Sequence, residues 1–278
     1  MTLARKTQIG LVAIAGVLFV LLFLAPTKQT SKEAEKPGLP KAEEQTATVE
    51  SFLQMVVKTL KPGEKTNYDA LLSAANTSKV DTAFIPVAQF WDQQKRPDFA
   101  SYFVEKIAER KQTAVAYFKA GDRYYYSIRF IKDNDEVPVL YQSAMRCYQK
   151  ALNQDPSNVD AKIQLAACYV EGSQDPMKGI TLLREVEKVD SNNVKLQLSF
   201  AFFSVKSQQW DKAITRFENV LKIDPLYIEA YLHLADVYEQ QGDKNKTIEV
   251  LEKYAAATED AMAKQEVLKY IEQIKKSN

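Results

Sequence analysis

Apolar residues recur along most of this chain at three- and four-residue intervals, the spacing that places side chains on one face of an α-helix. Val49, Phe52, Leu53, Val56, Val57 and Leu60 make the first such stripe, and Lys61-Pro62-Gly63 is expected to end that helix. A second helix is predicted roughly over residues 67–75. Farther on the stripes come in pairs. Three tripeptides, Lys178-Gly179-Ile180, Lys212-Ala213-Ile214 and Lys246-Thr247-Ile248, stand 34 residues apart. A fixed period of that size marks stacked helical hairpins, none of which buries its apolar face without a neighbour. Such a chain works by presenting a surface, so binding is the expected class of function.

A different pattern precedes the hairpins. Residues 9–25, IGLVAIAGVLFVLLFLA, carry no charge and no strongly polar side chain. A helix of that length reaches roughly 25 Å at about 1.5 Å per residue, the short end for a bilayer crossing. Ile9, Leu11, Val17, Phe19, Leu22 and Leu24 are its expected membrane-anchoring residues. A cleaved signal peptide is the rival, with Arg5 and Lys6 as its basic start. Its apolar region usually runs only ~7–15 residues, and Phe23 and Pro26 suit a cleavage site poorly. An uncleaved transmembrane anchor behind a short tail, residues 1–8, is therefore the expectation.

Basic residues flank the apolar run on both sides, Arg5 and Lys6 before it and Lys28, Lys32, Lys36 and Lys41 after it. Charge thus leaves the orientation open, and large soluble domains cross largely regardless of it. A single-pass protein of the bacterial inner membrane with its domain in the periplasm is expected first. An organelle outer membrane with a cytosolic domain is the alternative. Residues 26–45 lack aromatic side chains, are rich in charge and contain Pro37, Gly38 and Pro40, so a flexible linker is expected there. Residues 46–80 are read as N-terminal capping helices over the first repeat.

The clearest repeat unit spans residues 194–227, with Phe200 and Ala201 in its first helix, Ala213 and Phe217 in its second, and Pro225 near its close. Residues 228–261 repeat it through Tyr231, Leu234, Ala235 and Tyr238, and more loosely through Thr247, Leu251 and Tyr254. These units resemble the tetratricopeptide repeat (TPR) family in both position and period, while Gln197, Ser204 and Val220 depart from its pattern. Residues 159–193 fit through Leu165, Ala166, Tyr169, Gly179, Leu183 and Val186, with Asp175 and Pro176 as N-cap and first helical residue. Residues 114–158 hold a copy with an insertion, carried by Tyr117, Gly121, Tyr124, Ala144, Tyr148, Ala151 and Pro156. Its first helix is expected to run on through Ile131, with a turn at residues 133–136 and Pro138 opening the next helix. A degenerate copy covers residues 81–114 through Ala88, Trp91, Ala100, Val104 and Ile107.

The resemblance implies an all-α fold, a right-handed superhelical α-solenoid of about five hairpins, closed by a C-terminal capping helix over residues 262–278. Small residues let helices approach, and a ring from the partner fills the space opposite. In the family, fixed positions of each first helix line an inner groove. Carried over, they give a protein-binding groove of Phe118, Tyr125, Tyr126, Ile163, Val170, Leu198, Phe202 and Val205. Polar and acidic ends flank it, Gln89, Asp92 and Gln93 at one side and Glu229, Asp236, Glu239 and Gln240 at the other, with Lys195 and Lys206 between. This stripe either grips an extended peptide or amphipathic helix or is covered by the prolonged helix or the N-terminal segment. The carboxylate clamp of some relatives is missing, since Ile85, Gln89, Phe118, Asp122, Asp160 and Ile163 occupy its positions.

Composition narrows the rest. Over 278 residues the charges nearly cancel to +1, which argues against a general nucleic-acid binder. Cys147 and Cys168 fall within apolar helical patterns and read as buried free thiols. His233 is the sole histidine and reads as a packing residue; no phosphate loop occurs. No catalytic residue, metal or cofactor is expected, and neither is a small-molecule substrate. The expected partners are a protein or peptide, with membrane lipid around the N-terminal helix. The reading is a membrane-tethered scaffold or adaptor; alternatives are a maturation, import or assembly factor for translocated chains, and an enzyme or haem-handling protein using His233.

Overall fold

The computed structural model describes residues 47–132 and 135–276. The expected tail, anchor residues Ile9, Leu11, Val17, Phe19, Leu22 and Leu24, and linker lie outside the described residues, as do Asp133 and Asn134 of the expected turn. Thirteen α-helices and no strand occur among the described residues. They are α1 Val49–Val57, α2 Pro62–Thr77, α3 Ile85–Gln93, α4 Pro97–Lys111, α5 Ala114–Ser127, α6 Glu136–Gln154 and α7 Val159–Gly172. The remainder are α8 Pro176–Val189, α9 Val194–Lys206, α10 Trp210–Ile223, α11 Glu229–Gln240, α12 Lys244–Ala257 and α13 Ala261–Lys276. Each odd-numbered helix from α3 to α11 pairs with its successor as a hairpin, and consecutive hairpins stack.

Short polar side chains set the helix starts. Asn158, Asp175, Asn193 and Asp243 each accept a hydrogen bond from a backbone N–H of the first turn, satisfying donors that the helix leaves open. The turn inside the hairpin has its own signature. Lys95, Gln208 and Gly242 occupy equivalent positions after α3, α9 and α11, and all three are left-handed, with φ of 57°, 56° and 75°. Only glycine adopts that conformation without a steric cost.

The apolar stripes meet in three core clusters. The first runs from Val49 to Cys168, the second joins Ile163, Ala166, Leu183, Val186 and Leu196, and the third runs from Ala201 to Ile271. Close approach is made at glycine. A Cβ on Gly121 would lie 2.7 Å from Tyr148 Cε1, and one on Gly179 would strike the Ala166 carbonyl oxygen. The sparsest packing between consecutive hairpins is at α8 and α9. There the departing residue Gln197 is buried and polar contacts bridge three helices. Gln197 Nε2 donates to the Ser191 carbonyl at 2.7 Å, while Arg216 donates to Gln197 Oε1 at 3.1 Å and to Glu187 Oε1 at 2.6 Å.

Several local expectations change. Pro62 opens α2 instead of ending α1, whose C-cap is Lys58, because proline suits the first helical position, where no intrahelical N–H is needed. α5 stops at Ser127 and a 3-10 turn, Ile128–Phe130, replaces its expected extension. α6 begins at Glu136, ahead of Pro138. The N-terminal helices also do more than cap one end. α2 packs on α3, where Tyr68 meets Phe90 and Trp91 at ring-centroid distances of 5.6 and 5.4 Å. α1 packs instead against α4 and α6, two second helices, with Val49 and Leu53 buried.

Candidate functional site

The first helices of the hairpins, α3, α5, α7, α9 and α11, carry the residues expected to form a groove, and the structure treats those residues unequally. Ile163 is buried at 4% exposure in the cluster with Leu183, Val186 and Leu196, so it packs the core and does not face a ligand. Val170 is half-buried, and its Cγ2 lies 2.8 Å from where a Cβ on Gly179 would stand, so it fills the α7–α8 contact. Phe118 is half-buried and its ring centroid lies 5.8 Å from that of Tyr148. Tyr125 is half-buried, donates to Glu171 Oε2 at 2.8 Å and sits 6.2 Å from the Tyr141 ring. The middle of the expected stripe is thus largely engaged with its own neighbours.

Among the described residues a hollow opens beside the first helices toward each end of the stripe, and the two share no lining residue. The first, 530 Å³, lies between α3 and α5 and includes Ile85, Gln89, Asp92, Arg123 and the exposed Tyr126. It is polar. Arg123 pairs with Asp92 at 2.7 Å, and Asp122 accepts from the Tyr148 hydroxyl at 2.7 Å. Burial raises the Asp122 carboxyl above its usual range, and the negative Asp160 adds to this, while the Tyr148 hydrogen bond and Lys195 act against it.

The second hollow, 350 Å³, lies between α9 and α11 and brings Phe202 and Val205 together with Trp210, Phe217, His233, Asp236, Val237, Glu239 and Gln240. Phe202 is 43% exposed and meets Phe217 and His233 edge-on, at 5.4 and 4.9 Å between centroids. His233 stacks on Phe217 at 5.2 Å. Burial lowers the imidazole pKa, only partly offset by Asp236 and Glu229, so the ring is neutral at physiological pH. Burial raises Asp236 as well, with His233 opposing and Glu239 reinforcing that shift. Glu239 accepts from the Tyr270 hydroxyl of α13 at 2.6 Å. Leu198, also of the expected stripe, is half-buried beside this cluster.

Sequence position placed Phe202 and Val205 in the middle of the groove and Asp236, Glu239 and Gln240 at its end, and the structure brings all five to one hollow. Sequence position missed Trp210 and Phe217, which project from the second helix α10, and did not place His233, read there chiefly as a packing residue, in the groove. Elsewhere the expectation about the thiols holds: Cys147 and Cys168 are free and buried. Among the described residues no group of three or more His, Cys, Asp or Glu is placed to hold a metal ion.

Two family profiles match this chain, a TPR repeat over residues 205–242 and a tetratricopeptide repeat over residues 228–260. Among solved structures, a tetratricopeptide repeat protein from Parabacteroides merdae is 14% identical, covering 82% of this chain and 85% of its own, at a TM-score of 0.53. A thermophilic TPR protein of Thermus thermophilus is 16% identical over 70% of this chain and 98% of its own, at a TM-score of 0.49. Superkiller protein 3 of Schizosaccharomyces pombe is 27% identical over 152 residues, which is 52% of this chain. The chain spans only 10% of the length of that curated relative. The described fold is a TPR-like solenoid, and TPR repeats occupy its C-terminal part.

Proposed function

We propose that this protein is a membrane-tethered scaffold that holds another protein or a peptide against the first-helix face of its repeats. The observation that carries the reading is Phe202, a large ring 43% exposed over a cavity with a buried apolar floor. Exposed aromatic side chains beside such cavities are the usual anchors of protein recognition. Tethering as a single-pass protein is supported by the apolar run of residues 9–25, and the repeats are proposed to lie on the periplasmic side of a bacterial inner membrane, because large soluble domains cross largely regardless of flanking charge. The reading is of a binding protein and not an enzyme. Its sole imidazole is wedged between Phe202 and Phe217, an environment suited to packing and to apolar contact.

The test is the double variant Leu198→Ala, Phe202→Ala. It should weaken partner capture from membranes while leaving helicity at 222 nm unchanged, and normal capture with crosslinks elsewhere overturns the assignment. Protease added to intact spheroplasts should cut the repeat domain; protection until lysis overturns the orientation. A His233→Ala strain should keep wild-type function apart from any loss that tracks partner binding.

A further inference from the structure

Resting on the groove reading above, we propose that the α9–α11 cavity selects a protein segment carrying one apolar side chain next to a lysine or arginine. The cavity has an apolar interior. Phe217 and Val237, at 1% and 2% exposure, form its floor, and Phe202, Trp210 and His233 stand around it. At 350 Å³ it lies at the small end of ligand pockets, which run about 300–1,000 Å³, so it admits a side chain or two and not a folded element.

The rim gives the charge. Asp236 and Glu239 line the cavity from α11, and among the described residues no lysine or arginine lines it. Glu239 is held by the Tyr270 hydroxyl at 2.6 Å, which fixes one carboxylate oxygen and leaves the other to accept from a ligand. Asp236 and Glu239 repel one another, and a cation seated between them relieves that repulsion. An acidic segment would meet two carboxylates and an uncharged imidazole. The pairing of a hydrophobic socket with an adjacent negative rim therefore discriminates among apolar segments by their neighbouring charge.

The cavity also contains its own reporter. Trp210 lines it, whereas the only other tryptophan, Trp91, is fully buried in the first core cluster. The experiment uses the full chain in detergent micelles to select binders from a library of short random peptides. Selected peptides should be enriched in an apolar residue next to Lys or Arg, and titrating a synthetic copy should change Trp210 emission. Asp236→Asn with Glu239→Gln should weaken that peptide on the order of tenfold, and the copy with Glu in place of its basic residue should not bind. Helicity at 222 nm establishes that the variants fold.

Selected peptides without basic enrichment, or affinity that ignores the rim variant, overturn this inference. If such peptides still lose binding to Leu198→Ala, Phe202→Ala, the groove reading survives it. If no peptide is selected, or if the selected ones bind that double variant as well as the wild type, both readings fall together.

Discussion

Gly179→Ala is expected to destabilise this protein although alanine is the better helix former. Helix propensity alone predicts a gain of about 0.8–1.0 kcal/mol for replacing an interior glycine. The site reverses that sign. Gly179 lies in α8 against α7, and an added Cβ would strike the Ala166 carbonyl oxygen, with Val170 Cγ2 at 2.8 Å and Tyr169 Cβ at 3.1 Å. Unstrained carbon contacts lie near 3.5–4.0 Å, so the two helices must part by on the order of an ångström. A backbone carbonyl cannot swing aside as a flexible side chain does. Parting also loosens Leu183 and Val186, both almost fully buried in the same interface. Overpacking of this kind costs about 2–3 kcal/mol, the upper part of the usual range, leaving a net loss of about 1–2 kcal/mol. Gly63→Ala in α2 is the internal control, because nothing lies within 4 Å of its added Cβ. Urea unfolding followed by circular dichroism should place the Gly179→Ala midpoint below wild type and the Gly63→Ala midpoint at or above it. A Gly179→Ala protein as stable as the wild type would refute the reasoning.

Three further outcomes are expected. Gln208→Gly should gain about 0.5–1 kcal/mol by releasing a left-handed φ of 56°, and a lower urea midpoint would show that the turn is not strained. Glu105 is buried and bound by Tyr124 at 2.9 Å and by Arg146 at 2.8 Å. Burial alone would raise its pKa, but the Arg146 and Tyr124 contacts outweigh it and hold the carboxyl below its usual value. Its stabilisation is thus present above an unfolded pKa of about 4.3 and lost as pH falls through the lower folded value. Glu105→Ala should cost about 2–4 kcal/mol at neutral pH and flatten the acid side of a Tm–pH curve; parallel curves would contradict this. Cys147 and Cys168, whose thiols burial pushes well above their ordinary pKa, should resist a thiol reagent in native buffer and both react in denaturant. Native labelling at either position would count against their burial.

The hairpins were legible because helical spacing and a 34-residue period are local properties of the chain. The helix caps were legible for the same reason, as Asp175 and Pro176 show. What escaped depends on how helices meet. Pro62 reads as a stop or a start with equal ease, and only the geometry of the loop behind it decides. Ile163 occupies a groove position in the repeat, yet it packs in one cluster with Leu196 from the first helix of the next hairpin, and the tilt between neighbouring repeats is not written in either one alone. His233 looked like packing beside Leu232 and Leu234. It does pack, but on rings from two other helices that sequence spacing could not bring together.

The sparse contact at α8 and α9 has a mechanical consequence. This joint has sparse apolar packing, Leu196 of α9 meeting the cluster with Leu183 and Val186, and is bridged as well by Arg216, Gln197 and Glu187; a cleft of 770 Å³ beside it includes Ser204 and Arg216. Repeat arrays are held by nearest-neighbour terms, so the weakest junction determines where an array parts. Heated or pulled, this rod should snap into two pieces of unequal toughness at that joint, the upstream piece outlasting the other because one continuous oily spine runs through it.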